Sequence, residues 1–206
     1  MGRRGGELSE HILFTAKDVF LEFGFERASM DVIAERASTS KRTLYAHFEN
    51  KQKLYLAVVS LIRGLYLERL RSPADYGGDT SEALVRFCGR FMQLLLWAPP
   101  IGMCRLAITE AERFPEGSAS FYDAIFTTAH ERLAAFLRER LKLGPKAATD
   151  AAYDLVGRIV HPHLPRALFG IDKVREAMPA DDAVATDVDL KPIRKAVARL
   201  LDETAG

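Results

Sequence analysis

Between Ser29 and Lys53 the chain reads SMDVIAERASTSKRTLYAHFENKQK, and Ser40, Lys41, Arg42, Thr43, Tyr45, His47, Lys51 and Lys53 crowd hydrogen-bond donors into one short span. Donors of this kind suit a phosphodiester backbone, because half or more of protein–DNA hydrogen bonds go to phosphate and sugar. Arg42 and Thr43 lie where a recognition helix would enter the major groove, and a guanidinium matches the O6/N7 edge of guanine. Asn50 is placed to cap a further helix whose first turn carries Lys51 and Lys53, a position where the helix dipole disfavours a cation. An incoming phosphate removes that conflict, so backbone amides and two ammonium groups form a phosphate clamp there. From Lys41 to Lys53 there are four cations (Lys41, Arg42, Lys51, Lys53) against the single anion Glu49.

Two short helices joined by a tight polar turn must position these side chains. Ser29 caps the first, Asp31 sits in its first turn where the dipole favours an anion, and Val32, Ile33 and Ala37 face inward. Ser38, Thr39 and Ser40 form the turn. The second helix, over residues 41–48, buries Leu44 and Phe48 at helical spacing and leaves Arg42, Thr43, Tyr45 and His47 outward. A preceding helix over residues 9–23, with Ile12, Ala16, Val19, Phe20 and Phe23 on one face and Gly24 as its stop, braces the pair. The helix over residues 51–70 places Leu54, Val58, Ile62 and Leu65 on one stripe and runs for about 30 Å, enough to link this head to the rest of the chain.

The segment from Ile12 to Val59 resembles the DNA-binding domain of the tetracycline-repressor (TetR) family of transcriptional regulators, above all in SKRTLYAHFENKQKLY. The resemblance implies that Ser40, Lys41, Thr43, Tyr45, His47 and Lys51 approach the DNA backbone and that Arg42 and Thr43 touch bases. Two positions depart from the family pattern, which has glycine at Ser38 and a small apolar residue at Thr39. A non-glycine residue held in the left-handed region costs on the order of 1 kcal/mol, so the turn is expected to carry some strain. Arg3 and Arg4 at the N-terminus are placed to add backbone contacts.

Composition agrees with a regulator of this kind. The chain has 206 residues, 48% hydrophobic and 28% charged, and a net charge of only +1, which excludes a uniformly basic nucleic-acid coat and requires local charge. No secretory leader is visible, and the apolar stretch from Leu94 to Met103 is too short to span a bilayer and is broken by Pro99 and Pro100, so a cytoplasmic location and no membrane partner are expected. Cys88 and Cys104 lack metal-ligand spacing and read either as small buried hydrophobes or as redox-sensing thiols. His161 and His163 have no cysteine or carboxylate at suitable spacing, so no metal site is expected.

Beyond a Pro/Gly/Asp-rich break over residues 72–79, helical patterns recur over 80–98, 101–114, 118–143, 146–169 and 190–201, with an acidic, alanine-rich connector over 175–189. Phe87, Phe91, Leu94, Leu95, Met103, Ile108, Phe121 and Ile125 supply bulky surface that could enclose an apolar ligand, or form ordinary core. The resemblance favours the first reading, since such regulators carry a helical ligand-binding domain here. Arg105, Glu110 and Glu112 are candidate polar contacts, or surface pairs. A recognition helix binds weakly alone, so two copies must pair. The resemblance places the seam on the last two helices, here through Ala151, Leu155, Ile159 and Val160 and through Ile193, Val197, Leu200 and Leu201. Pro162 and Pro165 should kink or end the first of them.

The expected architecture is therefore all-α: a three-helix helix-turn-helix DNA-binding domain over residues 1–50, followed by a larger helical ligand-binding and dimerisation domain over 51–206. The expected function is a homodimeric repressor released from double-stranded operator DNA by a small apolar or amphipathic effector, with no cofactor, metal or catalytic residues. An activator, and a helical small-molecule-binding protein or enzyme with no DNA role, are the alternatives.

Overall fold

A computed structural model describes residues 2–177 and 188–205. Among the described residues the fold is all-α, its one extended pairing being an isolated bridge between Trp97 and Arg175. The helices are α1 (Gly2–Arg27), α2 (Met30–Arg36), α3 (Lys41–His47), α4 (Lys51–Arg69), α5 (Thr80–Leu95), α6 (Ala98–Thr109), α7 (Pro115–Tyr122), α8 (Thr128–Leu141), α9 (Pro145–Val160), α10 (His163–Leu168) and α11 (Leu190–Ala205). A 3-10 turn (Pro73–Tyr76) and a π-helical turn (Asp123–Thr127) complete the elements.

Helix ends follow the local chemistry. Gly24, at φ 75° and ψ 167°, interrupts α1 where the sequence stops it, and glycine is the residue that enters this region without a Cβ penalty. Asp79 accepts from the amide of Glu82 and opens α5. α6 begins at Ala98, earlier than expected, because Pro99 and Pro100 fall in its first turn, where no intrahelical donor is required. The single helix expected over 118–143 is instead α7, the π-turn and α8. α9 ends at Val160 ahead of Pro162, as the ring's missing donor dictates, and α10 follows. The expected connector over 175–189 lies mostly outside the described residues, but its start is paired: Ala98 donates to the Arg175 carbonyl and Arg175 to that of Leu96, at 2.8 and 3.2 Å.

The chain forms two compact units. The first comprises Met1–Leu65 with Gly102–Ala124, the second Tyr66–Ile101 with Ile125–Gly206. The sequence boundary between residues 50 and 51 thus falls inside the first unit, because α4 is tied to the head. Tyr55 of α4 meets Phe20 and Phe25 of α1 edge-on at 5.5 Å each, and Phe114 joins the group, 5.3 Å from Phe25 and 5.6 Å from Tyr55. Such offset and edge-to-face pairs add about 0.5–1.5 kcal/mol each to the area they bury. Gly117 makes this closeness possible, since a Cβ there would lie 2.5 Å from the Phe114 ring. Ile12, Ala16, Val19, Phe20, Ile33, Leu44, Leu54 and Val58 complete the core of this unit, while Phe23 stays half-buried beneath the Arg36 guanidinium.

In the second unit α8 packs on α9, and α11 packs on both α5 and α9. These contacts bury most of the apolar side chains expected at a seam with a second copy. Leu155, Ile159, Ile193, Val197 and Leu200 are buried within the chain, and only Val160 and Leu201 of the expected set remain half-exposed beside the nearly buried Ala151. A buried aliphatic side chain is worth about 1.5–3 kcal/mol, so these residues contribute to the stability of the unit itself. The last turn of α4 is capped within this unit by arginines: Arg90 donates to the carbonyl of Arg69 at 3.2 Å, and Arg132 to those of Leu67 and Leu70.

Candidate nucleic-acid interface

The helix-turn-helix is assembled from interlocking caps. Ser29 Oγ accepts from the Val32 amide at 3.2 Å to open α2, and Ser40 Oγ accepts from the Thr43 amide at 3.0 Å to open α3. Between them Ser38 sits at φ 50°, in the left-handed region expected from the glycine that the family pattern has at this position. Its amide donates to Glu35 at 3.0 Å and that of Thr39 to Ala34 at 2.9 Å, so the last carbonyls of α2 are satisfied by the reversal that strains Ser38. Leu44 and Phe48 then turn inward, with 0% and 9% of their surface exposed, which fixes the opposite face of α3 outward.

That outward face carries Arg42, Tyr45 and His47, all exposed. None of the three has a hydrogen-bond partner within the chain among the described residues, so their donors are available to an incoming ligand. Lys53, in the first turn of α4, is also exposed, and Asn50 caps that helix by accepting from the Lys53 amide at 2.8 Å. The other expected contacts are partly committed within the fold. Lys41 pairs with Asp31 at 2.5 Å, and the hydroxyls of Ser40 and Thr43 lie 2.8 Å apart. Exposed ion pairs of this type contribute about 0–1 kcal/mol, so Lys41 can exchange Asp31 for a phosphate at little cost.

Lys51 departs most from its sequence reading. Its ammonium donates to three carbonyls, those of Phe25, Glu26 and Ala28, at 2.7, 3.0 and 3.0 Å, and lies 4.6 Å from the Phe25 ring centroid. All three of its protons are used. The charge expected at a phosphate instead caps the carbonyls where α1 ends, which also removes the conflict of a cation in the first turn of α4. Sequence inspection missed this because the partners are backbone atoms some two dozen residues away, released by the break at Gly24. Of the candidate contacts, Arg42, Tyr45, His47 and Lys53 are exposed with no side-chain hydrogen-bond partner among the described residues, whereas Ser40, Lys41, Thr43 and Lys51 are engaged within the chain.

The apolar residues assigned to an effector divide between the units. Phe87, Phe91, Leu94, Leu95 and Ile125 are buried in the second, and Met103 and Phe121 in the first, while Ile108 is 63% exposed. Of the polar candidates Arg105 and Glu112 are exposed and Glu110 is buried. Cys88 and Cys104 are both buried, and burial pushes each thiol up to about 12, so neither forms the thiolate that redox sensing requires. Among the described residues no group of three metal-ligating side chains gathers, around His161 and His163 or elsewhere, and no helix is long and apolar enough to cross a membrane.

Comparison with known proteins covers both units. Residues 12–58 match the bacterial regulatory proteins of the tetR family, and residues 82–191 match the C-terminal domain of AefR-like transcriptional repressors. The HTH-type transcriptional activator FasR of Mycolicibacterium smegmatis is 29% identical over 195 residues, which span 91% of this chain and 74% of FasR. The HTH-type transcriptional regulator RutR of Escherichia coli is 39% identical over 61 residues, 30% of this chain and 29% of RutR. In structure the chain is similar to a tetR-family regulator of Mesorhizobium loti, with TM-score 0.79 at 20% identity over 97% of this chain and 98% of that one.

Proposed function

We propose, from the premise that this chain belongs to the tetR family of bacterial regulatory proteins, that it is a homodimeric repressor that leaves its operator when a small apolar or amphipathic molecule binds its helical C-terminal region. The observation that carries the DNA-binding half is the outward face of α3, where Arg42, Tyr45 and His47 stand without internal partners on a helix capped at Ser40 and anchored by Leu44 and Phe48. Arg42 reads a base edge, Tyr45, His47 and Lys53 hold phosphates, and Lys41 joins them by leaving Asp31. Pairing of two copies doubles these contacts across half-sites about one helical turn, or a multiple of it, apart.

Release follows from linkage. A ligand favouring the conformation that fits the operator less well shifts the population toward it, and operator and ligand oppose each other by the same factor. A coupling of about 1–3 kcal/mol weakens DNA binding roughly 5- to 150-fold. A gel-shift series with the purified full chain on promoter-proximal duplexes tests the proposal: salt-dependent, sequence-selective retardation is expected, and its absence on every such duplex refutes the reading.

A second reading is activation, favoured by one specific observation: the relative that spans 91% of this chain is named an activator. Reporter expression from the target promoter separates the two. Deleting the gene raises expression under repression and lowers it under activation.

A further inference from the structure

A cleft of about 420 Å³ opens within the second unit, lined from the last turns of α5 and α9 and the first turn of α11. Small-molecule sites commonly enclose roughly 300–1,000 Å³, so the cleft is large enough to hold a ligand. Its apolar wall comprises Met92 and Leu96, Ile159 and Pro162, and Pro192 and Ile193. Among the described residues no aromatic side chain lines it, nor does any residue assigned to an effector from the sequence.

The polar side chains of the same lining are mostly donors. Arg158, Arg175, His161 and His163 bring N–H groups, and Asp189 is the one carboxylate among the described lining residues. Asp189 already accepts from the Lys191 amide at 3.0 Å, at the start of α11. Arg158 spends Nε on Asp154 at 2.6 Å and Nη2 on Glu203 at 3.2 Å, both outside the cleft lining, which leaves its Nη1. The rings of His161 and His163 are exposed and make no hydrogen bond among the described residues. Arg175 is held beside the apolar wall by its backbone, which donates to the Leu96 carbonyl at 3.2 Å and accepts from the Ala98 amide at 2.8 Å.

Donors beside an aliphatic wall call for an acceptor on an aliphatic body. A cationic ligand would face two guanidiniums, and a plain hydrocarbon would leave the donors without a partner. A carboxylate accepts from guanidinium and imidazole N–H groups together, and charge-assisted bonds of this kind are about twice as strong as neutral ones. Asp189 in the lining and the two carboxylates already on Arg158 favour a singly charged head, hence a carboxylate over a phosphate. We propose that this cleft is the effector site and takes an aliphatic carboxylate, its head among Arg158, Arg175, His161 and His163 and its chain along Met92, Leu96, Ile159 and Ile193. This rests on the ligand-release reading above and names its site and ligand class. The helix that walls the cleft also grips α4: Met92 and Leu96 adjoin Arg90, which donates to the carbonyl of Arg69 in the last turn of α4 at 3.2 Å.

Titration of the full chain with octanoate and with 1-octanol, followed by calorimetry and by tryptophan emission, tests the assignment. Trp97 is the only tryptophan in the chain and adjoins Leu96, so its emission reports on this cleft. Octanoate should bind about tenfold or more tightly than 1-octanol and should change that emission. In Arg158→Met, which keeps much of the aliphatic stem, and in the double variant His161→Ala with His163→Ala, the preference should fall below about threefold while octanol binding persists. Equal binding of the two compounds, binding of neither, unchanged Trp97 emission, or a preference that survives in both variants overturns the proposal. Octanoate that binds as expected but leaves operator affinity unchanged overturns it as well, since the cleft is then not the effector site. Failure of operator binding is a separate result: it sinks the regulator reading and leaves the carboxylate preference standing.

Discussion

Lys51 and Phe25 are joined twice, by an ammonium-to-carbonyl hydrogen bond of 2.7 Å and by the same ammonium lying 4.6 Å from the Phe25 ring centroid. A residue whose position in the motif suggests a phosphate ligand is thereby a strut between the start of α4 and the end of α1. Replacing Lys51 with Met keeps much of the aliphatic stem and removes three charge-assisted bonds. A loss of about 1.5–3 kcal/mol is expected in urea denaturation. The salt dependence of DNA binding should stay as it was, whereas Lys53→Ala should reduce the log–log salt slope by about 0.9, the signature of one lost phosphate contact.

The turn of the motif holds a second reserve. Ser38 occupies φ 50° with a Cβ that disfavours it. Ser38→Gly should stabilise the protein by up to about 1 kcal/mol, read as an increase in urea midpoint at constant slope. Ser38→Val, β-branched at the same angle, should move the midpoint the other way.

Gly117 is required for packing. An added Cβ would stand 2.5 Å from two Phe114 ring carbons and 3.0 Å from Tyr55, closer than such atoms approach. Gly117→Ala should destabilise by about 1–3 kcal/mol, the usual range for overpacking, despite the better helix propensity of alanine. Gly64 of α4 provides the control: a Cβ added there would meet nothing within 4 Å, so alanine should be neutral or stabilising.

His130 gives a pH dependence of defined sign. It is 6% exposed, its ring stacks on Tyr153 at 3.9 Å, and its Nδ1 has no partner. Burial lowers its pKa below the ordinary histidine value of 6.5. The unfolded chain therefore binds the proton more tightly than the folded one. The contribution of neutral His130 is complete above pH 6.5 and is lost as pH falls below that value toward the folded pKa. Thermal unfolding at several pH values should show Tm falling on acidification through this window, and His130→Phe should flatten that part of the profile.

Much of the head was legible because its signals are local. Ser29 and Asn50 are caps at fixed offsets from the amides they serve, and Leu44 and Phe48 repeat at the helical period, so α2, α3 and the start of α4 follow from neighbours in sequence, while Ser40, read as part of the turn, proves to cap α3. Pro162 similarly announced the end of α9. What escaped depends on distance along the chain. The bonds of Lys51 to the end of α1, the pairing of Lys41 with Asp31, and the joining of Phe114 to Phe25 and Tyr55 leave no periodic trace. The stripes on α9 and α11 show a further limit: periodicity marks a face as buried but does not say whether its partner lies in the same chain or in another.

The central claim is that the exposed face of α3 reads DNA, and fluorescence anisotropy of the full chain on promoter-proximal duplexes tests it most directly. Wild-type protein should bind one duplex selectively, with affinity falling as salt rises. Arg42→Ala should lose about 1–3 kcal/mol of discrimination at one base pair, and Tyr45→Ala should weaken all sequences alike. Unchanged affinity and selectivity in both variants, or no salt-dependent binding by the wild type, would contradict it.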